Sequence, residues 1–422
     1  MTDFPFGFQP GSGGDFGDLS KVPFFAELQR LMSSSGGPVN WELARQMATA
    51  GAGESDRALT AADTSDTADA LRLADVWLDP VTSLPSGATA VEAWTRVRWV
   101  ESTLETWQTL CDPVAARVID AMKAALPEEV RGQSGPLFDV MSQVGGLMFG
   151  MQVGQALGAL AGEVLSSTDV GVPLGAAGRA ALLPANVAAF GDGLGVPDAE
   201  VRLYLAMREA AHHRLFGHVP WLRRHVLDAV DAYARGIHID VEKLERAMGE
   251  IDPTDPAALQ EALGGGLFEH EDTPEQQAAL ARLELMLALV EGWVDEVVHA
   301  AASEHLPSAA ALRETVRRRR ATGGPAEQTF ATLVGLQLRP RRLREASAVW
   351  RALTEVRGID GRDDVWRHPD LLPDASALDD PQGWARPDDQ LFGLGADEAD
   401  GPLGEDGPLE SPGDHEDGDD RP

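Results

Sequence analysis

The sequence predicts a mainly α-helical protein with few short strands. Three observations carry this. Long helical patterns dominate the chain from about residue 66 to residue 360. Small polar residues open these stretches, and Gly or Pro closes them. Candidate strands are confined to short apolar runs.

Taken in order, residues 1–20 are rich in Gly and Phe and are expected to be disordered. Residues 22–33 read as a short amphipathic helix and residues 40–50 as another, with Asn40 as N-cap. Residues 51–65 read as a small, polar linker, so the N-terminal region is set at 1–65. Residues 68–78 look helical. Residues 91–110 read as a helix carrying Trp94, Trp99 and Trp107, and residues 113–126 as a separate helix closed by Pro127. Residues 140–162 carry no charge, and within them Gly146, Gly150, Gly154, Gly158 and Gly162 recur every four residues. Such a row leaves a bare groove along one helix face, where another backbone can approach closely. The stretch is long enough to span a bilayer. Gln143, Gln152 and Gln155 interrupt it, however, and Gly and Ala dilute it, so a packed core helix is expected rather than a membrane span.

Residues 170–196 are punctuated by Gly and Pro, and the runs 181–183 and 187–190 are either strands or loop. Asp198 caps a helix over 199–216 that ends at Gly217 and Pro220. Helical patterns follow at 221–234, 240–249 and 256–263, then one long helix at 274–305. A helix at 312–320 ends in four Arg, residues 323–325 turn, and residues 326–336 and 340–356 are again helical. After Gly358 the pattern decays. The Asp-, Pro- and Gly-rich remainder cannot bury enough apolar surface to fold by itself. The chain thus divides into 1–65, a helical domain at 66–360, and a largely disordered acidic tail at 361–422.

The net charge is −33, and it is uneven. Residues 369–422 hold 17 acidic and two basic residues, a net of −15. This balance argues against nucleic acid as a partner. The single Cys, Cys111, excludes a disulfide framework and a thiolate zinc site, and it fits a reducing cytosol. The first residues lack a basic n-region and an apolar h-region, so a cytoplasmic location is expected.

The stretch that carries chemistry is Arg208-Glu209-Ala210-Ala211-His212-His213-Arg214-Leu215-Phe216. One substitution separates it from His-Glu-x-x-His, in which two His at i and i+4 face a zinc ion and the Glu activates the attacking water. Glu209 stands at the base position and His212 at the second ligand position. Arg208 stands at the first, and a guanidinium has no lone pair to give a metal. Arg208 and His212 share a face, and His213 points elsewhere. A loose Glu-x-x-His match is frequent by chance, and ordinary surface Arg and His on an amphipathic helix would explain it.

The 274–305 helix argues for more. Residues 283–298 are apolar almost all round and are expected to be buried. Yet Glu291, Asp295 and His299 step along one stripe at i, i+4 and i+8. A buried carboxylate needs a cation, a metal or hydrogen-bond donors. Glu291 then either supplies a zinc ligand beside His212, with Asp295, His213 or His218 completing the set, or pairs with Arg208. In the second arrangement the guanidinium sits where the zinc charge sits in an active enzyme. The run Arg317–Arg320 reads as a solvated helix end, or as a grip on the acidic tail or a phosphate. His225 and His238 fit no ligand spacing, and His270 is flanked by acids.

The 208–216 stretch, followed by Val-Pro-Trp-Leu at 219–222, resembles the type 2 zincin-like metallopeptidases. So do Gln152-Val-Gly154, Leu183-Pro-Ala-Asn186, Leu289-Val-Glu-Gly-Trp-Val-Asp295, and the segments at 335–343 and 361–372. The resemblance runs from about residue 91 to residue 373. It implies a mainly helical zincin-like domain, a zinc cofactor, Glu209 as catalytic base, His212 as a ligand and Glu291 as the glutamate ligand from a later helix. The chain departs from the motif at Arg208. Two expectations follow: a zinc-dependent hydrolase of peptide or amide bonds, or a non-catalytic scaffold in which an Arg208–Glu291 pair replaces the metal and the protein acts by binding a partner.

Overall fold

The computed structural model describes residues 37–124, 135–235, 273–322 and 342–386. The helices expected at 22–33, 240–249, 256–263 and 326–336 lie outside them, as do His238, His270 and residues 387–422.

Helix α1 (Trp41–Gly53) opens on Asn40, whose side chain accepts from Leu43 N at 3.0 Å. Helix α2 (Ala61–Leu78) opens on a capping box between Thr60 and Asp63. Residues 51–53 and 61–65 of the expected 51–65 linker are therefore helical, and Arg57 adds an ion pair to Asp63 at 2.6 Å. Strand β1 (Ala90–Ala93) takes the residues expected to start the Trp-bearing helix. That helix, α3 (Arg96–Ala124), begins later because Thr95 Oγ1 accepts from Arg98 N and the Asp56 carboxylate accepts from Arg96 N and Val97 N. The break expected before Pro113 is absent. Trp99, Trp107 and Leu110 before the proline and Val114, Ala115 and Ile119 after it are buried, so packing on both sides holds the helix through a residue that disfavours it.

Helix α4 (Gly135–Ala161) carries four glycines of the row, Gly146 to Gly158, and α1 with the residues that lead into it packs against them. A Cβ on Gly150 would lie 2.6 Å from the Asn40 carbonyl oxygen, and one on Gly154 would lie 2.7 Å from that of Ala44. Facing them, Ala44, Ala48 and Ala52 of α1 are buried. No described helix is long and apolar enough to cross a membrane.

Strand β2 (Arg179–Leu182) pairs in parallel with β1, from Ala90 with Arg179 to Ala93 with Leu182, and α3 and α4 lie in the crossover between them. Its other edge meets the preceding loop: Ser167 N donates to Ala181 O at 3.0 Å, and Ser166 bridges Leu182. Of the two runs read as strand or loop, 187–190 is neither, because it belongs to helix α5 (Pro184–Gly191).

Helix α6 (Asp198–His218) packs on α2 and on α8, and residues 204–215 are all buried. Asp198 lies in its first turn, where a carboxylate suits the helix dipole, but it is not the cap. Helix α7 (Leu222–Arg235) follows. Helix α8 (Pro274–Ser303) starts from a Thr273–Gln276 capping box and is buried at every residue from 286 to 298. Helix α9 (Ala309–Thr322) leads toward α10 (Leu343–Asp363), which kinks at Gly358, where φ is 71°. Packing continues past that point, although the apolar pattern weakens there. Asp363 accepts from Thr82 Oγ1 at 2.6 Å and from Trp293 Nε1 at 2.9 Å, and Trp366 stacks on Trp350. Helix α11 (Pro381–Ala385) ends the described chain. The architecture is thus helical, with two short parallel strands among the described residues.

Candidate functional site

Helix α6 buries Arg208, Glu209, His212, His213 and Arg214 within two turns. A rotation of about 100° per residue sends them in three directions. Arg214 turns toward α2, where it pairs with Asp75 at 3.1 Å and Asp79 at 2.6 Å and donates to Leu84 O. It ties α6 to its neighbour and faces no cleft.

Glu209 and His213 turn toward β2. The Glu209 carboxylate accepts from Ala181 N at 2.9 Å, from Thr168 N at 3.2 Å, and from the hydroxyls of Ser167 and Thr168, while His213 Nε2 lies 3.2 Å away. Glu209 has no exposure at all. Burial pushes its pKa up, but hydrogen bonds from His213, Ser167 and Thr168 outweigh burial and bring it down to about 2. Every lone pair is engaged, so this carboxylate has neither a free acceptor nor the basicity to draw a proton from water.

Arg208 and His212 turn the other way, onto α8. Arg208 Nη2 donates to Glu291 Oε2 at 2.6 Å. His212 Nδ1 lies 2.8 Å from Arg208 O and Nε2 lies 3.2 Å from Glu291 Oε1. A third partner comes from α9: Arg320 Nη2 also donates to Glu291 Oε1. Burial raises the Glu291 pKa, but Arg320, Arg208 and His212 hold it well below the usual carboxylate range. Gly171 makes this convergence possible. Its φ is +83°, and a Cβ there would lie 2.9 Å from Arg320 Nη2 and 3.0 Å from Glu291 Oε1.

The neighbouring acids Asp295 and Glu296 of α8 are also met by arginines. Asp295 accepts from Arg313 and Arg317, both at 2.6 Å, and from Ser347 Oγ at 2.9 Å. Burial raises its pKa, and the two guanidiniums bring it back below the ordinary value. Arg319 pairs with Asp169 at 2.9 Å and lies over the Phe190 ring. The run Arg317–Arg320 is therefore not a solvated helix end. Arg317, Arg319 and Arg320 reach inward, and Arg318 alone of the four stays on the surface, with Glu314.

The zinc that a zincin-like domain implies finds a poor donor set here. Among the described residues only His212 and Glu291 converge, and Glu291 is already neutralised by two guanidiniums. Asp295 is committed to Arg313 and Arg317, and His213 lies on the Glu209 side. His218 ends α6 exposed, near Ser86 O, and His299 bonds Ser303 one turn away. His225 packs edge-on against Trp221. Among the described residues no group of three or more His, Cys, Asp or Glu is placed to hold a metal ion. A site with fixed cations inside it repels a divalent one, so these residues do not fit zinc.

Sequence reasoning missed Arg320, Arg319, Gly171 and the Ser167–Thr168 cradle. One signal was available. Arg313, Arg317 and Arg320 recur at i, i+4 and i+7, a stripe that matches the acidic stripe on α8.

A solved structure of a presumed hydrolase with a novel fold from Chloroflexus aurantiacus superposes with a TM-score of 0.57 at 21% identity, covering 82% of this chain and 97% of that one. At that identity it speaks to the fold alone. No curated protein matches the chain. The zincin-like metallopeptidase family matches residues 39–385, most of the chain and all four described segments, and the protein belongs to that family.

Proposed function

We propose that this chain is a metal-free member of its hydrolase-type family, a zincin-like scaffold that acts by binding a peptide or protein partner. One observation carries the reading: Arg208 Nη2 lies 2.6 Å from Glu291 Oε2, inside a helix pair buried from solvent. The guanidinium holds the position of the first motif ligand and supplies the positive charge that a metal would. Glu209, the motif's base, is spent on β2. A bidentate-capable cation in a dry site fixes the register of α6 against α8, which is a structural role.

A second reading keeps zinc hydrolysis, and one observation favours it. His212 is oriented as a ligating His is, with Nδ1 anchored on a backbone carbonyl and Nε2 presented to a carboxylate. This reading needs Arg208 and Arg320 to withdraw and Glu209 to leave its cradle. Hydrolysis of a peptide library with zinc supplied separates the two. No turnover is expected. Turnover that disappears in Glu209→Gln while the fold is retained would establish the hydrolase instead.

A further inference from the structure

A cavity of about 90 Å³ opens at the C-terminal end of β2, where the opening turns of α2, α5 and α6 meet. That is room for several waters, or for a guest smaller than the benzene that a cavity of about 150 Å³ takes. The floor is apolar, from the buried Leu182, Val187 and Val201, and the rim is charged, from Arg57, Asp63, Asp198 and Arg202. Arg57 is spent on Asp63, at 2.6 and 2.9 Å. Asp198 and Arg202 are not spent. They stand one turn apart on α6, a spacing at which opposite charges ordinarily pair. Here they do not pair. Arg202 leans toward Asp66 at 3.1 Å and donates no hydrogen bond among the described residues, and Asp198 has no described partner. A third group is also idle. Helical threonines in this chain, such as Thr49, Thr103, Thr109 and Thr354, return their hydroxyls to the carbonyl four residues back. Thr67 borders the cavity, is 1% exposed, and its hydroxyl has no partner at all.

We infer that this cavity is a binding site for a small free α-amino acid, alanine in size. Its ammonium lies on Asp198, its carboxylate on Arg202 and its side chain on the apolar floor, and the Thr67 hydroxyl bonds one charged end. Both signs are needed. Counting Asp66 behind Arg202, the surroundings hold two guanidiniums and three carboxylates. A bare cation would meet the guanidiniums and a bare anion the carboxylates, whereas a zwitterion meets each sign with its opposite. Residues one turn apart have their Cβ atoms about 5–6 Å from each other. A molecule that carries both charges on one carbon bridges such a gap, and the small floor limits its side chain. The site shares no residue with the Arg208–Glu291 cluster, so it stands or falls apart from the metal-free reading.

The test uses the full chain. Melting and the heat of binding are followed against L-alanine at neutral pH and constant ionic strength. Ethylamine, which is alanine without its carboxylate, and propionate, which is alanine without its ammonium, serve as half-ligands. A melting temperature that rises and saturates with alanine, and with neither half-ligand, is expected. Asp198→Asn keeps the side-chain shape at an exposed position and should raise the half-saturating alanine concentration about tenfold. Thr67→Val removes a hydroxyl that has no partner in the free protein. Melting without ligand should therefore hold or rise in that variant, while alanine binding weakens. Saturation by either half-ligand as by alanine, no saturation by alanine, or wild-type affinity in either variant overturns the assignment.

Discussion

Two buried carboxylates, Glu209 and Glu291, lie on opposite sides of α6 and solve the same problem in opposite ways. Glu209 is surrounded by hydroxyls, backbone N–H groups and one His, a set of hydrogen-bonding groups that disperses one negative charge. Glu291 is met by two guanidiniums and a His, which overcompensate it. The first arrangement is closed and needs nothing further. The second leaves idle donors behind, Arg208 Nη1 and Arg320 Nε. The motif's base has been absorbed into structure, and what remains open to chemistry is the place where the motif lost its His.

The largest expected effect breaks the second side. Arg208→Ala removes a buried partner of Glu291, and breaking a buried pair from one side costs about 3–5 kcal/mol. Denaturant titration reads this directly, and an unchanged midpoint would mean that Arg320 alone satisfies Glu291. The first side follows. Its pKa of about 2, against 4.5 for a free Glu, corresponds to about 3 kcal/mol of stability. The folded value is depressed, so this contribution is fully present above pH 4.5 and is lost as pH falls from there toward 2. Glu209→Gln should therefore be less stable than wild type at pH 7 and approach it near pH 2. A constant gap across that range would show that the carboxylate's charge is not what the cradle holds.

Two glycine substitutions sharpen the comparison with smaller effects. Gly154→Ala forces a methyl to within 2.7 Å of the Ala44 carbonyl oxygen in the α1–α4 seam, away from either carboxylate. Overpacking of this kind costs about 1–3 kcal/mol. Gly171→Ala strains a residue at φ +83° and presses on Arg320 and Glu291, costing on the order of 1–2 kcal/mol. Denaturant titration reads both costs, and an unchanged midpoint in Gly171→Ala would show that the left-handed backbone there is not what lets Arg320 and Glu291 meet.

Much of this was legible in the sequence for local reasons. Fourfold glycine spacing dictates a close helix contact whatever the partner, and α1 fills it. Acids on an otherwise apolar helix must be paired, which is why Glu291 and Arg208 could be brought together on paper. The rest depends on distant segments. The Glu209 cradle is assembled from residues 167, 168 and 181, about 30 to 40 positions away along the chain, the last on a strand of four residues that carries almost no periodic signal. Pro113 misled because propensity is local, whereas the packing that overrides it is not. The arginine run misled because a cluster of like charges is ordinarily solvated, and its partners sit on a helix whose burial only the fold reveals.

The most direct measurement is zinc stoichiometry by elemental analysis, on untagged wild-type protein as purified and again after zinc addition. The account predicts no zinc above background in either preparation, because Arg208 and Arg320 already occupy the charge that Glu291 and His212 offer. About one zinc per chain, lost on His212→Ala, would contradict it.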